Sequence, residues 1–130
     1  PDLMARADVI LVAVPLLPAT RGLVDAVALA RLKPGAVLVD VSRGGVVVET
    51  ALIQALRDGR LAGAALDVFE TEPLPKDSPL WSHPNVIVTP HCSSVYDGWA
   101  KKSVALFIEN PARFRGGEAL VNVVDPGRGY

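Results

Sequence analysis

Four polar clusters in this sequence follow directly on apolar runs, and each holds groups able to do chemistry. They are Pro15-Leu16-Leu17-Pro18-Ala19-Thr20, then Ser42-Arg43-Gly44-Gly45, then Asp67 with Glu70 and Glu72, and last Pro90-His91-Cys92-Ser93-Ser94. Arg43 offers a rigid fork of donors that can grip a carboxylate through two hydrogen bonds. Gly44 and Gly45 beside it allow close approach of backbone to a ligand, or serve a tight turn. Taken alone, Arg43 reads more plainly as a surface side chain that caps a helix or pairs with Asp40 or Glu49.

His91 follows a strand and a proline, which would hold its backbone, and imidazole is the side chain suited to trading protons near neutral pH. If the loop carrying Glu72 folds back, a carboxylate against one ring nitrogen would orient the imidazole and favour its acid form. A structural histidine and solvated loop acids are the plain alternatives for His91, Glu70 and Glu72. Asp67 lies inside an apolar run, so it must sit near a strand end and be hydrogen-bonded, with the capping of local backbone amides as its plainest task. Cys92 next to His91 makes a poor nucleophile–base pair, since neighbours on an extended segment point to opposite sides. His83 reads as exposed, Lys101, Lys102, Arg113 and Arg115 as the solvated face and end of a helix, and Trp99 and Phe107 as packing.

The elements that must position these groups are legible as apolar runs at 8–14, 36–41, 63–68 and 86–89. The β-branched, nearly continuous character of the first two and the last is that of parallel strands covered on both faces by helices. Between the first two runs, Leu23, Val27 and Ala30 mark a helix over Thr20–Leu32, closed by Pro34-Gly35. Between the next two, Leu52, Ala55 and Leu56 form an i, i+3, i+4 stripe with Gly59 as a left-handed cap. Strand starts about 25 to 30 residues apart match βαβ units with right-handed crossovers. The third connection, Phe69–Asn85, carries Pro73, Pro75, Pro79 and Pro84 and cannot hold a regular helix. Residues 94–114 read as a helix, with Val95, Trp99, Leu106 and Phe107 on one face and a break at Pro111, and 120–130 reads as loop. The fold expected is α/β: half of a doubly wound, Rossmann-type parallel sheet with flanking helices. Ligands of such sheets bind beyond the carboxyl ends of the strands, where all four polar clusters fall.

Composition narrows the function further. The chain has 130 residues, half of them hydrophobic, with 13 basic and 14 acidic side chains and a net charge of −1. That balance gives no electrostatic footprint for nucleic acid or an anionic membrane. The longest apolar stretch, 9–19, is interrupted by Pro15 and Pro18 and is short of the roughly 20 residues a membrane span needs. One cysteine excludes an internal disulfide, no Cys/His cluster has metal-ligand spacing, and both fit a cytoplasmic protein. No G-x-S-x-G elbow supports an α/β hydrolase. The start at Pro1-Asp2 reads as a cut inside a longer protein, so the chain is expected to be a fragment.

With Asp8-Val9-Ile10-Leu11, Val41-Ser42-Arg43-Gly44, Leu66-Asp67-Val68-Phe69-Glu70-Thr71-Glu72-Pro73 and Thr89-Pro90-His91 in this order, the chain resembles the D-isomer-specific 2-hydroxyacid dehydrogenases. More narrowly, it resembles the C-terminal part of their dinucleotide-binding domain over 1–130, with a tail from about 115 leading back toward a substrate domain. The resemblance implies that Arg43 holds the substrate carboxylate, Glu72 partners the histidine and His91 donates the proton. It also implies that Val14, Pro15, Thr20, Val41, Ser42, Arg43, Asp67 and Ser93 line the site of NAD or NADP, with Asp67 at the nicotinamide end. The implied reaction is hydride transfer between a nicotinamide cofactor and a 2-oxo acid or D-2-hydroxy acid, in a homodimer, with the isolated chain inactive. Cys92-Ser93-Ser94 departs from the apolar residue and small residue usual after the histidine. No G-x-G-x-x-G and no ribose-selecting residue is present. The rival expectation is a dehydrogenase-like binding or corepressor module that keeps the fold without turnover.

Overall fold

The computed structural model describes residues 2–128, which fall into two compact units dividing between Ser93 and Ser94. In the first unit a short helix α1 (Asp2–Arg6), which the sequence reading missed, leads into β1 (Val9–Val12). Then follow α2 (Ala26–Ala30), β2 (Ala36–Asp40), α3 (Glu49–Arg57), β3 (Leu61–Leu66), a 3-10 turn at Pro79–Trp81 and β4 (Val86–Val88). The strands form one parallel sheet in the order β1-β2-β3-β4, as the spacing of the runs predicts.

The register puts Ile10, Leu38, Ala64 and Val86 in one row across the sheet and Val12, Asp40, Leu66 and Val88 in the next, all on the same face. That face carries the core, with Leu29 and Leu32, Leu52, Ala55 and Leu56 of α3, and Leu80 packed into it. The other face is not filled: Val9, Leu11 and Ile87 are 58%, 64% and 66% exposed. Among the described residues of the first unit, the helices flank one face of the sheet. Successive parallel strands added in one direction by right-handed crossovers place every connection on the same side of the sheet.

The helix expected over Thr20–Leu32 is only five residues long. Its first half is instead a turn over 20–22, with Arg21 N–H donating to the Leu17 carbonyl at 2.9 Å and Gly22 N–H to the Gly45 carbonyl at 2.8 Å, followed by an isolated bridge between Val24 and Val47. Asp25 then caps α2, accepting from Ala28 N–H at 2.8 Å. The buried side chains are Val24, Leu29 and Leu32, of which only Leu29 lies in α2, whereas Leu23, Val27 and Ala30, expected to share the buried face, point outward. In α3 the expected stripe of Leu52, Ala55 and Leu56 is buried, and Gly59 ends the helix at φ 68°. Residues 69–85 hold no regular helix beyond the 3-10 turn, and His83, expected exposed, is half-buried with Nδ1 accepting from Asn85 N–H.

The second unit is built on α4 (Trp99–Arg115), which begins after Gly98 at φ 82° and buries none of its residues, Trp99 and Phe107 included. Pro111 does not break it. A proline forfeits one helical hydrogen bond, and here the Arg113–Glu109 ion pair at 2.7 Å bridges the weakened turn. Asn110 pins the tail with both side-chain atoms, to the Val121 carbonyl at 3.1 Å and from its N–H at 3.0 Å. Residues 121–128 are non-helical as expected, and 129–130 lie outside the described residues. Among the described residues no helix is long and apolar enough to cross a membrane.

Candidate active site

All four polar clusters occupy the carboxyl-end edge of the sheet, because parallel strands deliver their C-termini to one side. After β1 the chain turns through 15–20, and Thr20 fixes that turn. Its hydroxyl donates to the Pro15 carbonyl at 2.6 Å and accepts from Leu17 N–H at 2.8 Å. Val14, at 36% exposure, is left open at the strand's end. After β2, Val41 N–H still pairs with the Val12 carbonyl at 3.0 Å. Ser42 is buried and turned inward, its amide (2.9 Å) and hydroxyl (2.5 Å) both donating to Asp40. Burial pushes the Asp40 carboxyl above the ordinary carboxylate range despite these two hydrogen bonds. Arg43 is exposed and donates one bond, to the Ser42 carbonyl at 2.7 Å. It pairs with neither Asp40 nor Glu49, which frees the rest of its fork.

Asp67 is 3% exposed and both its oxygens are engaged. Oδ1 accepts from the Thr89 hydroxyl and from Cys92 N–H at 2.9 Å, and Oδ2 accepts from Ser93 N–H at 2.8 Å. Burial would raise its pKa, but the Thr89 hydroxyl, the two amides and the Ser93 hydroxyl together outweigh it and hold the carboxyl well below the ordinary range. An aspartate from β3's end therefore ties down the turn after β4, over 22 to 26 residues of sequence. His91 lies at the start of that turn with φ 52°. Such a conformation is uncommon for a side chain with a Cβ and persists where surrounding bonds fix it. The rigidity that Pro90 suggests in the sequence thus comes from Asp67 gripping the two residues that follow.

Glu72 folds back as the loop composition allows. Its Oε2 lies 2.8 Å from His91 Nδ1, and its Oε1 accepts from Phe69 N–H at 3.0 Å. The histidine contact, opposed by partial burial and helped by the Phe69 amide, lowers the Glu72 pKa. With Nδ1 occupied, Nε2 is the nitrogen left for a substrate. A cavity of about 550 Å3 adjoins the pair, walled by Phe69, Pro73, Leu74, Trp81, Val88 and Pro90. The structure therefore joins Glu72 to His91 and Asp67 to Ser93, and sets Arg43, Val14, Pro15, Thr20 and Val41 along the same edge without direct contact to the histidine. Thr89 and Trp81 were not foreseen. Thr89 stands in the sequence as the polar end of an apolar run and as part of Thr89-Pro90-His91, with nothing local to show its bond to Asp67, and nothing in the sequence points Trp81 to a cavity. Among the described residues no cluster of His, Cys, Asp or Glu could hold a metal.

The family model of the D-isomer specific 2-hydroxyacid dehydrogenase NAD binding domain matches residues 1–93, ending where the first unit ends. Glyoxylate/hydroxypyruvate reductase B of Pectobacterium carotovorum is 40% identical over 95% of this chain and 39% of its own length. D-3-phosphoglycerate dehydrogenase of Mycobacterium leprae is 53% identical over 69% of this chain and 17% of its own length. The structure of a D-isomer specific 2-hydroxyacid dehydrogenase from Xanthobacter autotrophicus, in complex with NADPH and MES, is 48% identical with a TM-score of 0.92, over 99% of this chain and 52% of that one. The chain thus spans about half or less of the relatives it matches.

Proposed function

From the membership of this chain in the D-isomer specific 2-hydroxyacid dehydrogenase family, we propose that the complete protein reduces a 2-oxo acid to a D-2-hydroxy acid, and catalyses the reverse, with NAD or NADP. The observation that carries this reading is the Glu72–His91 pair at 2.8 Å on the sheet edge that also bears Arg43.

The nicotinamide end of a dinucleotide fits what this edge offers. A flat amide-bearing ring needs an apolar rest and a fixed rim of backbone. Val14 supplies the first, and the second comes from the Thr20-pinned turn at Pro15 and the Asp67-pinned turn at Ser93. Val14, Pro15, Thr20, Val41, Ser42, Arg43, Asp67 and Ser93 would hold it. Ser42 and Asp67 would act through the backbone they fix, since their side chains are spent inside the protein. When bound, the reduced nicotinamide supplies a hydride for the carbonyl carbon.

The chain's own residues do the rest. Arg43 binds the substrate carboxylate through its unspent guanidinium donors and orients the carbonyl. His91 delivers a proton from Nε2 to the carbonyl oxygen as negative charge develops there, and Glu72 holds the ring through Nδ1 and balances the imidazolium charge. In the reverse direction Nε2 takes the hydroxyl proton. Residues 1–130 form the C-terminal part of the dinucleotide-binding domain, with the tail from about 115 leading toward a substrate domain, and the isolated chain is inactive. The protein works in the cytoplasm without nucleic-acid or membrane partners, a reading supported by its balanced charge and single cysteine, and as a homodimer, which follows from the family alone. Presence of Arg43, Glu72 and His91 together favours an enzyme over a binding module. The test is steady-state kinetics of the complete protein on a panel of 2-oxo acids with both cofactors. Arg43→Ala raising KM for the oxo acid by about 100-fold supports the reading, and cofactor binding without turnover of any 2-oxo or 2-hydroxy acid overturns it.

A further inference from the structure

Nothing in the reaction uses Glu49 or Glu70, yet each carboxylate accepts the other residue's backbone amide. Glu70 Oε1 takes Glu49 N–H at 2.9 Å, and Glu49 Oε2 takes Glu70 N–H at 3.2 Å. Glu49 opens α3, whose N-cap, Val48, provides no side-chain acceptor. Glu70 therefore caps α3 from a loop 21 residues away, where negative charge also complements the helix dipole.

The two segments so joined are the ones that carry the chemistry. On one side Arg43-Gly44-Gly45 leads through Val46, Val47 and Val48 into Glu49, and on the other Glu70 lies two residues before Glu72. They also touch directly at Gly44, where a Cβ would lie 1.8 Å from the Phe69 carbonyl oxygen. Phe69 is in turn the residue whose amide holds Glu72 Oε1. The close approach at Gly44 and the reciprocal pair of hydrogen bonds at Glu49–Glu70 thus fasten the Arg43 segment to the Glu72 segment at two points.

We infer that Glu70, with Glu49 as its reciprocal partner, is a positioning residue that sets the placement of Arg43 relative to the Glu72–His91 pair. The inference rests on the proposed role of Arg43. Its consequence is selective: a loosened clasp spoils the two-point fit of a 2-oxo acid, held by its carboxylate at Arg43 and its carbonyl at His91, while the rim at Val14, Pro15 and Thr20 stays in place.

The experiment compares Glu70→Ala, Glu70→Gln, Glu49→Ala and Arg43→Ala in the complete protein, reading KM for the oxo acid, KM for the cofactor, kcat and the thermal midpoint. Expected for Glu70→Ala and Glu49→Ala is a rise of about tenfold in oxo-acid KM, since a small misplacement of a binding group is costly, with a smaller rise, within about twofold, in cofactor KM, because Arg43 is one of several residues that would hold the cofactor. Glu70→Gln keeps an acceptor for Glu49 N–H and should restore KM to within about twofold of the parent. If Glu70→Ala fails to fold, Glu49→Ala carries the same reading. A lowered thermal midpoint with unchanged KM in both alanine variants makes the clasp a helix cap only and overturns the inference while leaving the reaction intact. An unchanged KM in Arg43→Ala overturns the inference together with the role of Arg43.

Discussion

Glu72 contacts His91 at Nδ1 with one carboxylate oxygen and the Phe69 amide with the other, so the side chain that orients the imidazole is itself held at both ends. In the proposed reaction that arrangement would separate the two residues' tasks: His91 would move a proton and Glu72 would keep it in place. In the complete protein His91→Ala should lower kcat for reduction by about 10²- to 10⁴-fold. Glu72→Gln, which keeps an oxygen near Nδ1 but not the charge, should cost about tenfold. Steady-state rates in both directions check this, and equal losses in the two variants would deny the division of roles.

Asp67 governs acid stability. Its carboxyl, like that of Glu72, is held below the ordinary range in the fold. The stabilisation is therefore fully present above the pKa of an unfolded carboxylate and is lost as pH falls through the folded values. Asp67→Asn, which keeps one acceptor oxygen and turns a donor toward the amides, should cost about 2 to 3 kcal/mol at pH 7 and flatten the acid limb. Denaturant unfolding of parent and variant from pH 7 downward measures both.

Asp40 has the opposite sign. Burial raises its carboxyl pKa, so the folded state binds the proton more tightly and loses stability as pH rises through the window between the unfolded and folded values. Asp40→Asn keeps an oxygen for the Ser42 amide and hydroxyl without a buried charge. Its thermal midpoint at pH 7 should equal or exceed the parent's, and a clear drop would mean that the charge itself is required.

Gly44 and Gly35 form a contrasting pair. Added at Gly44, a Cβ meets backbone of Phe69 and Glu70, which no side-chain rearrangement can relieve. Gly44→Ala should cost at least about 3 kcal/mol or abolish folding. Gly35 has φ 83° and open space around it, so Gly35→Ala costs only the left-handed conformation, about 1 kcal/mol. Parallel melts of the two variants decide it.

Expressed alone, the chain should self-associate. β1 is an edge strand, and Val9 and Leu11 beside that edge are exposed. Unpaired edge backbone with apolar side chains invites pairing with another copy. Sedimentation over a concentration series should show oligomers, and a monodisperse monomer that melts cooperatively would refute this.

The amino-acid order by itself determined the parallel sheet, the strand sequence and the site edge, because buried strands write themselves as apolar runs and parallel strands deliver their ends to one side. Arg43, Glu72 and His91 were legible as candidates because Arg43 and His91 come just after apolar runs and Glu72 four residues past one, in a pattern that resembles one family. Only the tertiary structure decided the rest. Apolar spacing does not record where a helix starts or which side meets the core, so α2 covers only 26–30, and Leu23, Val27 and Ala30 point outward while Leu29 and Leu32 pack. It likewise decided that Asp67 grips the turn after His91 and that Glu70 caps α3. Those partners stand 21 to 26 residues apart, and nothing local in a sequence records which distant amide a carboxylate will meet.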